Sequence, residues 1–243
     1  MPDDSRRERP GSRDHDSGRL QGSAPPQAGI QPRGSAPAES RSAKLVLDWD
    51  GTVTERDGLH MVLERFGDLG VFAALEDELG RRLTLEEVIA AEMATITAPL
   101  DEVVAWLVNH VRVRRGFREL VAAHDPLIVS SGFHELIEPV LERVGVAARV
   151  AAHHVVAEPA GWRTEFTELP VCVVCGERCK RGVVAGLGPF AYAGDGYSDR
   201  CVALAAERRF ARAELADWLD EQGVEYELFG DLCDVLEALE TSP

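Results

Sequence analysis

Two aspartates separated by one residue, Asp48 and Asp50, stand at the end of the apolar run Leu45-Val46-Leu47 and are followed by Gly51 and Thr52. Residues two apart in an extended segment point to the same side, so these carboxylates approach one another and repel unless something uses their charge. Mg2+ held by carboxylate oxygens would neutralise it, since this ion prefers oxygen ligands and commonly shares its shell with substrate phosphate. Asp48 can then attack phosphorus as a nucleophile, while Asp50 gives a proton to the leaving alkoxide and later takes one from the attacking water. Such chemistry also needs donors and positive charge around the phosphoryl oxygens. Ser130, nearby backbone N–H groups and Lys180 are placed to supply them. Lys180 stands out in composition as well: of 26 basic residues only Lys44 and Lys180 are lysine, and the others are arginine.

These residues need elements to bring them together. Lys44-Leu45-Val46-Leu47 reads as a short strand buried on both faces. From about residue 58 to 124, apolar residues recur at three- and four-residue spacings, which predicts a bundle of four or five helices. Further on, the segment from Pro126 to Gly132 reads as strand and turn, the segment from Phe133 to Gly145 as helix, and the segment from Ala148 to Val156 as strand. A helix from Cys175 to Gly188, a strand at Phe190–Gly194, a helix from Ser198 and two closing helices complete the pattern. Alternating strands and helices predict right-handed crossovers and a parallel sheet, the α/β class. In such sheets ligands bind beyond the carboxyl ends of the strands. Asp48, Ser130 and Asp195 each fall at such an end, and together they form a constellation.

Composition narrows the field. The chain has 243 residues, 45 % hydrophobic and 28 % charged, which is ordinary for a globular protein with a sizeable core. A formal net charge of −16 makes nucleic acid and anionic membrane surfaces poor partners. No stretch approaches the roughly 18 apolar residues of a membrane span, and the first residues lack the apolar region of a secretion signal. Five cysteines, three of them within residues 172–179, fit a reduced compartment, so a cytoplasmic location is expected. Residues 1–42 carry almost no large apolar side chains and read as a disordered tail.

The segments Asp48–Thr54 (DWDGTVT), Ile128–Gly132 (IVSSG), Lys180 and Gly194–Asp199 (GDGYSD) resemble, in order and spacing, the four motifs of the haloacid dehalogenase superfamily, in its aspartate-nucleophile phosphatase branch. The resemblance implies a Rossmann-like parallel core over residues 43–56 and 119–243, with an inserted helical bundle cap over residues 57–118. It implies a Mg2+-dependent phosphomonoesterase that hydrolyses a small phosphorylated metabolite through an aspartyl-phosphate on Asp48. Asp50 is then the acid and base, Lys180 stabilises the aspartyl-phosphate, and Thr52, Ser130, Ser131, Gly132 and Lys180 hold phosphate. The metal falls to Asp48, Asp50, Asp195 and Asp199. The cap position resembles the phosphoserine phosphatase group, and the cysteine-bearing approach to Lys180 resembles phosphatases grouped with methylthiopentenyl phosphate phosphatase and the phosphoethanolamine and phosphocholine phosphatases. A phosphomutase, or a non-enzymatic relative that binds a phosphorylated ligand or a protein, keeps the same fold and stands as the alternative.

Other residues have two readings. Ser130 reads both as phosphate ligand and as N-cap of the following helix, and Asp57 as a helix cap that can also touch substrate. His60 reads as a surface or bundle residue. Cys172, Cys175 and Cys179 crowd as zinc ligands do, but a structural zinc site takes four, the fourth coming from His134, His153, His154 or Cys201. The other reading keeps them as reduced structural thiols. Substrate choice is expected to lie in residues 56–118 and in the hairpin around Trp162, and nothing in the sequence sets the oligomeric state.

Overall fold

The computed structural model describes residues 44–241; the tail expected over residues 1–42 lies outside the described residues. Leu45, Val46 and Leu47 make β1 (Lys44–Leu47) and are all nearly inaccessible. Their alternation serves two cores at once: Leu45 and Leu47 pack with Ile128, Phe133 and Leu120 on one face, and Val46 with Val129, Tyr192 and Leu215 on the other. Such double burial is what the uninterrupted apolar run predicts. The remaining strands are β2 (Leu127–Phe133), β3 (Arg149–Val156), β4 (Arg163–Glu165), β5 (Phe190–Gly194), β6 (Arg208–Ala211) and β7 (Glu227–Leu228). They form a seven-stranded sheet in the order β4-β3-β2-β1-β5-β6-β7. Pairing is parallel throughout except for the β3–β4 hairpin at one edge. The chain builds β2 and β3 on one side of β1 and β5 to β7 on the other, so the crevice where strand order reverses opens at the carboxyl end of β1.

Between β1 and β2 run α1 (Gly58–Phe66), α2 (Leu69–Glu76), α3 (Leu85–Met93), α4 (Leu100–His110) and α5 (Phe117–His124). Their starts follow capping chemistry. Asp57 accepts the His60 N–H at 2.8 Å, Asp68 accepts that of Gly70 at 2.8 Å, and Thr84 and Glu87 form a reciprocal capping box. α5 packs against α10 (Leu232–Thr241), while α6 (His134–Val144) covers β2 and β3 and contacts α4. The hairpin residue Trp162 is buried; its indole N–H donates to the Ala98 carbonyl at 2.9 Å and its backbone N–H to Ile96 at 3.0 Å. Trp162 thus fastens the hairpin to the inserted helices.

Three expectations are corrected. The long helix predicted from Cys175 to Gly188 is helical only at α7 (Lys180–Val183), because Gly176, Gly186 and Gly188 all take positive φ and Cys172–Glu177 close a turn instead. The helix predicted from Ser198 is a 3-10 turn (Tyr197–Asp199) followed by the single turn α8 (Arg200–Ala203), ahead of α9 (Ala213–Gln222). β6 and β7 were not anticipated: β6 opens on two arginines, and the strand pair is held by the Arg208–Glu227 ion pair as well as by burial of Phe210 and Ala211.

One buried group in α3 is costly. Glu92 is 4 % exposed and its Oε1 has no hydrogen-bond partner. Burial, followed by the nearby charges of Glu76 and Asp57, raises its pKa to about 8. A carboxyl whose pKa is raised on folding binds more protons in the native state, so its contribution to stability falls as pH rises from its ordinary range toward 8. Glu92→Gln is therefore expected to raise the thermal midpoint at pH 8 and to change it little at pH 5, measured by melts across that range; an equal shift at both pH values would contradict it.

Candidate active site

At the carboxyl end of β1, Asp48 is 3 % exposed and its carboxylate meets the Lys180 ammonium from the start of α7. Lys180 Nζ also donates to Asp199 Oδ1 at 2.7 Å, and both partners are buried. Burial alone would lower the lysine pKa, but Asp199 and Asp48 together raise it above its ordinary value, so the ammonium stays charged. Asp199 is fully engaged: Oδ1 also accepts the Tyr192 hydroxyl at 2.6 Å, and Oδ2 accepts the backbone N–H groups of Asp195 at 2.7 Å and Gly196 at 3.0 Å. Against its burial, Lys180 and these donors hold its pKa below the usual carboxylate range.

Asp195, after β5, accepts the Thr52 hydroxyl at 3.2 Å and has no ion-pair partner among the described residues. One oxygen from each of Asp48, Asp195 and Asp199 lies within 4.8 Å of the others. Burial and mutual repulsion push Asp48 up to about 7, despite Lys180, and Asp195 up to about 9. An all-oxygen donor set with more negative charge than one lysine balances fits a hard divalent cation. Asp50 is not in this trio. Its Oδ1 accepts the Gly58 N–H at 2.8 Å at the head of α1, and burial, then Asp57 and Asp48, raise its pKa well above the usual range.

The phosphate-binding residues expected from sequence divide. Ser130 is 5 % exposed, and its Oγ accepts the Gly132 N–H at 2.8 Å; it does not cap α6, where Phe133 holds the cap position without a side-chain bond. Ser130, Ser131 and Lys180 contribute to the wall of a cavity of about 690 Å3 that is also lined by Leu85, Ile89 and Phe166. Thr52 is fully buried and its hydroxyl is directed at Asp195. Asp57 caps α1, and His60 pairs with Glu64 at 3.2 Å and lies edge-on to Phe72, as a bundle residue would.

Three residues that shape the site were not found from sequence. Buried Arg114 donates to the carbonyls of Gly51 at 2.8 Å, Thr52 at 2.9 Å and Thr54 at 3.1 Å, and Arg212 reaches the Gly51 carbonyl from beyond β6 at 2.8 Å. Tyr192 orients Asp199 from within β5. The only signal for Tyr192 was a hydroxyl in an otherwise apolar strand; the arginines were lost among many.

A parallel sheet with carboxylates and one buried lysine gathered at its switch point defines a doubly wound α/β protein with its site beyond the strand ends. A model of haloacid dehalogenase-like hydrolases matches residues 45–204, and the chain belongs to that family. Similar proteins include the 2-hydroxy-3-keto-5-methylthiopentenyl-1-phosphate phosphatases of Geobacillus thermodenitrificans (strain NG80-2), 27 % identical over 81 % of this chain and 96 % of that protein, and of Geobacillus kaustophilus (strain HTA426), 28 % identical over 81 % and 94 %. Among solved structures, a phospho-aspartyl intermediate analogue of phosphoserine phosphatase matches with a TM-score of 0.62 at 17 % identity, over 82 % of this chain and 99 % of that one. A substrate-bound phosphoserine phosphatase complex gives 0.63 at 15 % identity over the same shares, 82 % and 99 %. These two likenesses are of fold.

Gly51 lies against Asp195 of the second acidic segment. It has φ +76°, and a Cβ there would sit 2.1 Å from Asp195 Oδ2. Gly51→Ala must displace Asp195 or the loop that follows Asp48. Misplacement of about 1 Å can cost on the order of 100-fold in rate. We expect a drop of that order in hydrolysis, with the far-UV circular dichroism unchanged; a variant with wild-type turnover would show that this approach is not needed.

Proposed function

We propose that the protein is a Mg2+-dependent phosphomonoesterase that hydrolyses a small phosphorylated metabolite through an aspartyl-phosphate on Asp48. The observation that carries this reading is the buried Asp48–Lys180–Asp199 arrangement at the sheet's switch point, with Asp195 beside it. Asp48 and Asp195 would hold the metal, and Asp199, whose oxygens are taken up by Lys180, Tyr192 and the backbone N–H groups of Asp195 and Gly196, would fix them in place beside it. Bound there, Mg2+ offsets the charge of the carboxylates and of the phosphoryl oxygens.

The chain's own groups account for the two displacements. Asp48 attacks phosphorus, and the bond from phosphorus to the ester oxygen breaks. Asp50, whose carboxyl is biased toward its protonated form by burial and its acidic neighbours, gives its proton to the leaving alkoxide. A water then attacks the acyl phosphate while the Asp50 carboxylate takes its proton; phosphate leaves and Asp48 is restored. Lys180 neutralises Asp48 and the phosphoryl oxygens through both steps. Ser130, Ser131 and the backbone about Gly132 hold the phosphoryl group, and Thr52 serves the site by orienting Asp195.

Residues 57–118 act in this reading as a cap over a core of residues 43–56 and 119–243. The mixed cavity lined by Ser130 and Lys180 together with Leu85 and Ile89 of α3 and Phe166 supports a substrate with an apolar organic part. The naming of the curated relatives supports including 2-hydroxy-3-keto-5-methylthiopentenyl-1-phosphate among substrates to test. A cytoplasmic site of action is supported by five free cysteines, and no helix among the described residues is long and apolar enough to cross a membrane.

The test is release of inorganic phosphate from a panel of small phosphomonoesters, with Mg2+ and with chelator. Turnover is expected only with metal and is expected to fall at least about 10^3-fold in Asp48→Asn, as loss of a covalent nucleophile does. Turnover that persists in Asp48→Asn would overturn the mechanism. Isomerised phosphosugar in place of free phosphate would make the protein a mutase.

A further inference from the structure

The cysteines lie outside this mechanism, yet four of the five converge. Cys172, Cys175 and Cys179 come from the loop that leads into α7, and Cys201 comes from α8. One sulfur from each lies within 4.8 Å of all the others, and Cys172 and Cys201 Sγ are 3.8 Å apart. A tetrahedral zinc with Zn–S bonds of about 2.3 Å sets its sulfurs about 3.8 Å from one another, whereas a disulfide needs about 2.05 Å. Four mutually close thiols, none paired in a disulfide, have the donor number and type of a closed structural zinc site.

The backbone is shaped for the same purpose. Cys172 to Gly176 forms a tight turn in which the Gly176 N–H donates to the Cys172 carbonyl at 2.8 Å and the Cys172 N–H to Glu177 at 2.9 Å. Gly176 closes it at φ +79°, in the left-handed region, with open space around it, so conformation rather than crowding calls for glycine. The turn aims N–H groups at sulfur: Val174 donates to Cys172 Sγ at 3.5 Å, Cys175 N–H also faces it, and Arg181 N–H faces Cys179. Four thiolates around Zn2+ carry a net charge of −2, and N–H donors to sulfur stabilise that charge.

We propose that Cys172, Cys175, Cys179 and Cys201 bind one zinc ion, which clamps the loop before Lys180 to the helix after Asp199. Each thiol gives up its proton as its sulfur ligates, so binding one Zn2+ releases four protons and changes no oxidation state. The clamp's two anchors sit next to the buried ion pair: Cys179 immediately precedes Lys180, and Cys201 follows Asp199 by two residues. A loop with little helix of its own and three exposed valines, Val171, Val173 and Val174, has scant apolar burial to fix it. A metal bond supplies the missing constraint. This site is separate from the acidic one, and the proposal does not rest on the phosphatase reading.

The full chain, purified without an affinity metal from medium with no added zinc and dialysed against excess Mg2+, is analysed by elemental mass spectrometry. About one zinc per chain is expected. Cys201→Ser is expected to cut zinc at least tenfold, while Cys233→Ser, whose cysteine lies outside the cluster, keeps it. If Cys201→Ser does not fold, wild-type protein still decides the matter. A mercurial thiol reagent should release one zinc to a chromogenic chelator, and cobalt exchanged into the site should show the intense visible absorption of a tetrahedral thiolate complex. Zinc-free protein of normal stability with free thiols, disulfides among these four cysteines, or iron in place of zinc would each overturn the proposal.

Discussion

The contact on which the site depends is one buried lysine held between two buried carboxylates. Lys180, Asp48 and Asp199 are each nearly inaccessible, and none of the three charges would be tolerated there alone. Their pKa shifts record the bargain. Lys180 stays charged and Asp199 stays ionised, while Asp48 rises to about 7 because its burial, and after it the charge of Asp199, outweigh the pull of the ammonium. The type of cation matters as well. An ammonium is a compact point charge on a flexible stem and fits between two carboxylates, where the planar fork of a guanidinium demands more room. In a chain that uses arginine for nearly every basic position, that geometric demand gives a physical reason for lysine here.

Around this contact the backbone is fastened rather than merely packed. In the loop after β1, Arg114 binds the carbonyls of Gly51 and Thr52, and Arg212 also reaches that of Gly51. The same loop is tied internally, the Thr54 hydroxyl donating to the Trp49 carbonyl at 3.2 Å and accepting the Gly51 N–H at 3.1 Å. On the facing strand, Gly194 lets the Asp199 carboxylate lie against the backbone, since a Cβ would come within 2.6 Å of Oδ2. The acidic groups are therefore set in place before any ligand arrives, the condition under which electrostatic stabilisation is most effective.

Much of this was legible in the sequence, for a local reason. Asp48, Ser130 and Asp195 could be placed because each follows an apolar run that must become a strand, and strand ends share one edge of a parallel sheet. Lys180 was legible through composition. Arg114 and Arg212 were not, because their partners are backbone carbonyls that are distant in the chain and that no residue type announces. Thr52 was assigned to phosphate by its place in a motif, and only the fold shows its hydroxyl turned to Asp195. The same limit explains the secondary structure that was missed. β6 begins with two arginines and earns its place through β5, β7 and Glu227, all of which are tertiary neighbours. Between Cys175 and Gly188 the helical spacing of apolar residues was real, but the glycines outweighed it.

The inserted helices are joined to the chemistry at their first residue. An insert that leaves the carboxyl end of β1 must start beside the site, and here the Gly58 N–H that opens α1 donates to Asp50. Gly58 is buried, and a Cβ on it would come 3.0 Å from that same carboxylate oxygen, so any larger residue here makes the carboxylate give by a few tenths of an ångström. Burial, Asp57 and Asp48 favour the protonated carboxyl, and the Gly58 N–H favours the ionised one. The balance at Asp50 is thus set jointly by the end of a strand and the beginning of a helix. In the proposed mechanism Asp50 both gives and takes a proton, which needs that kind of balance, and neither element could provide it without the other.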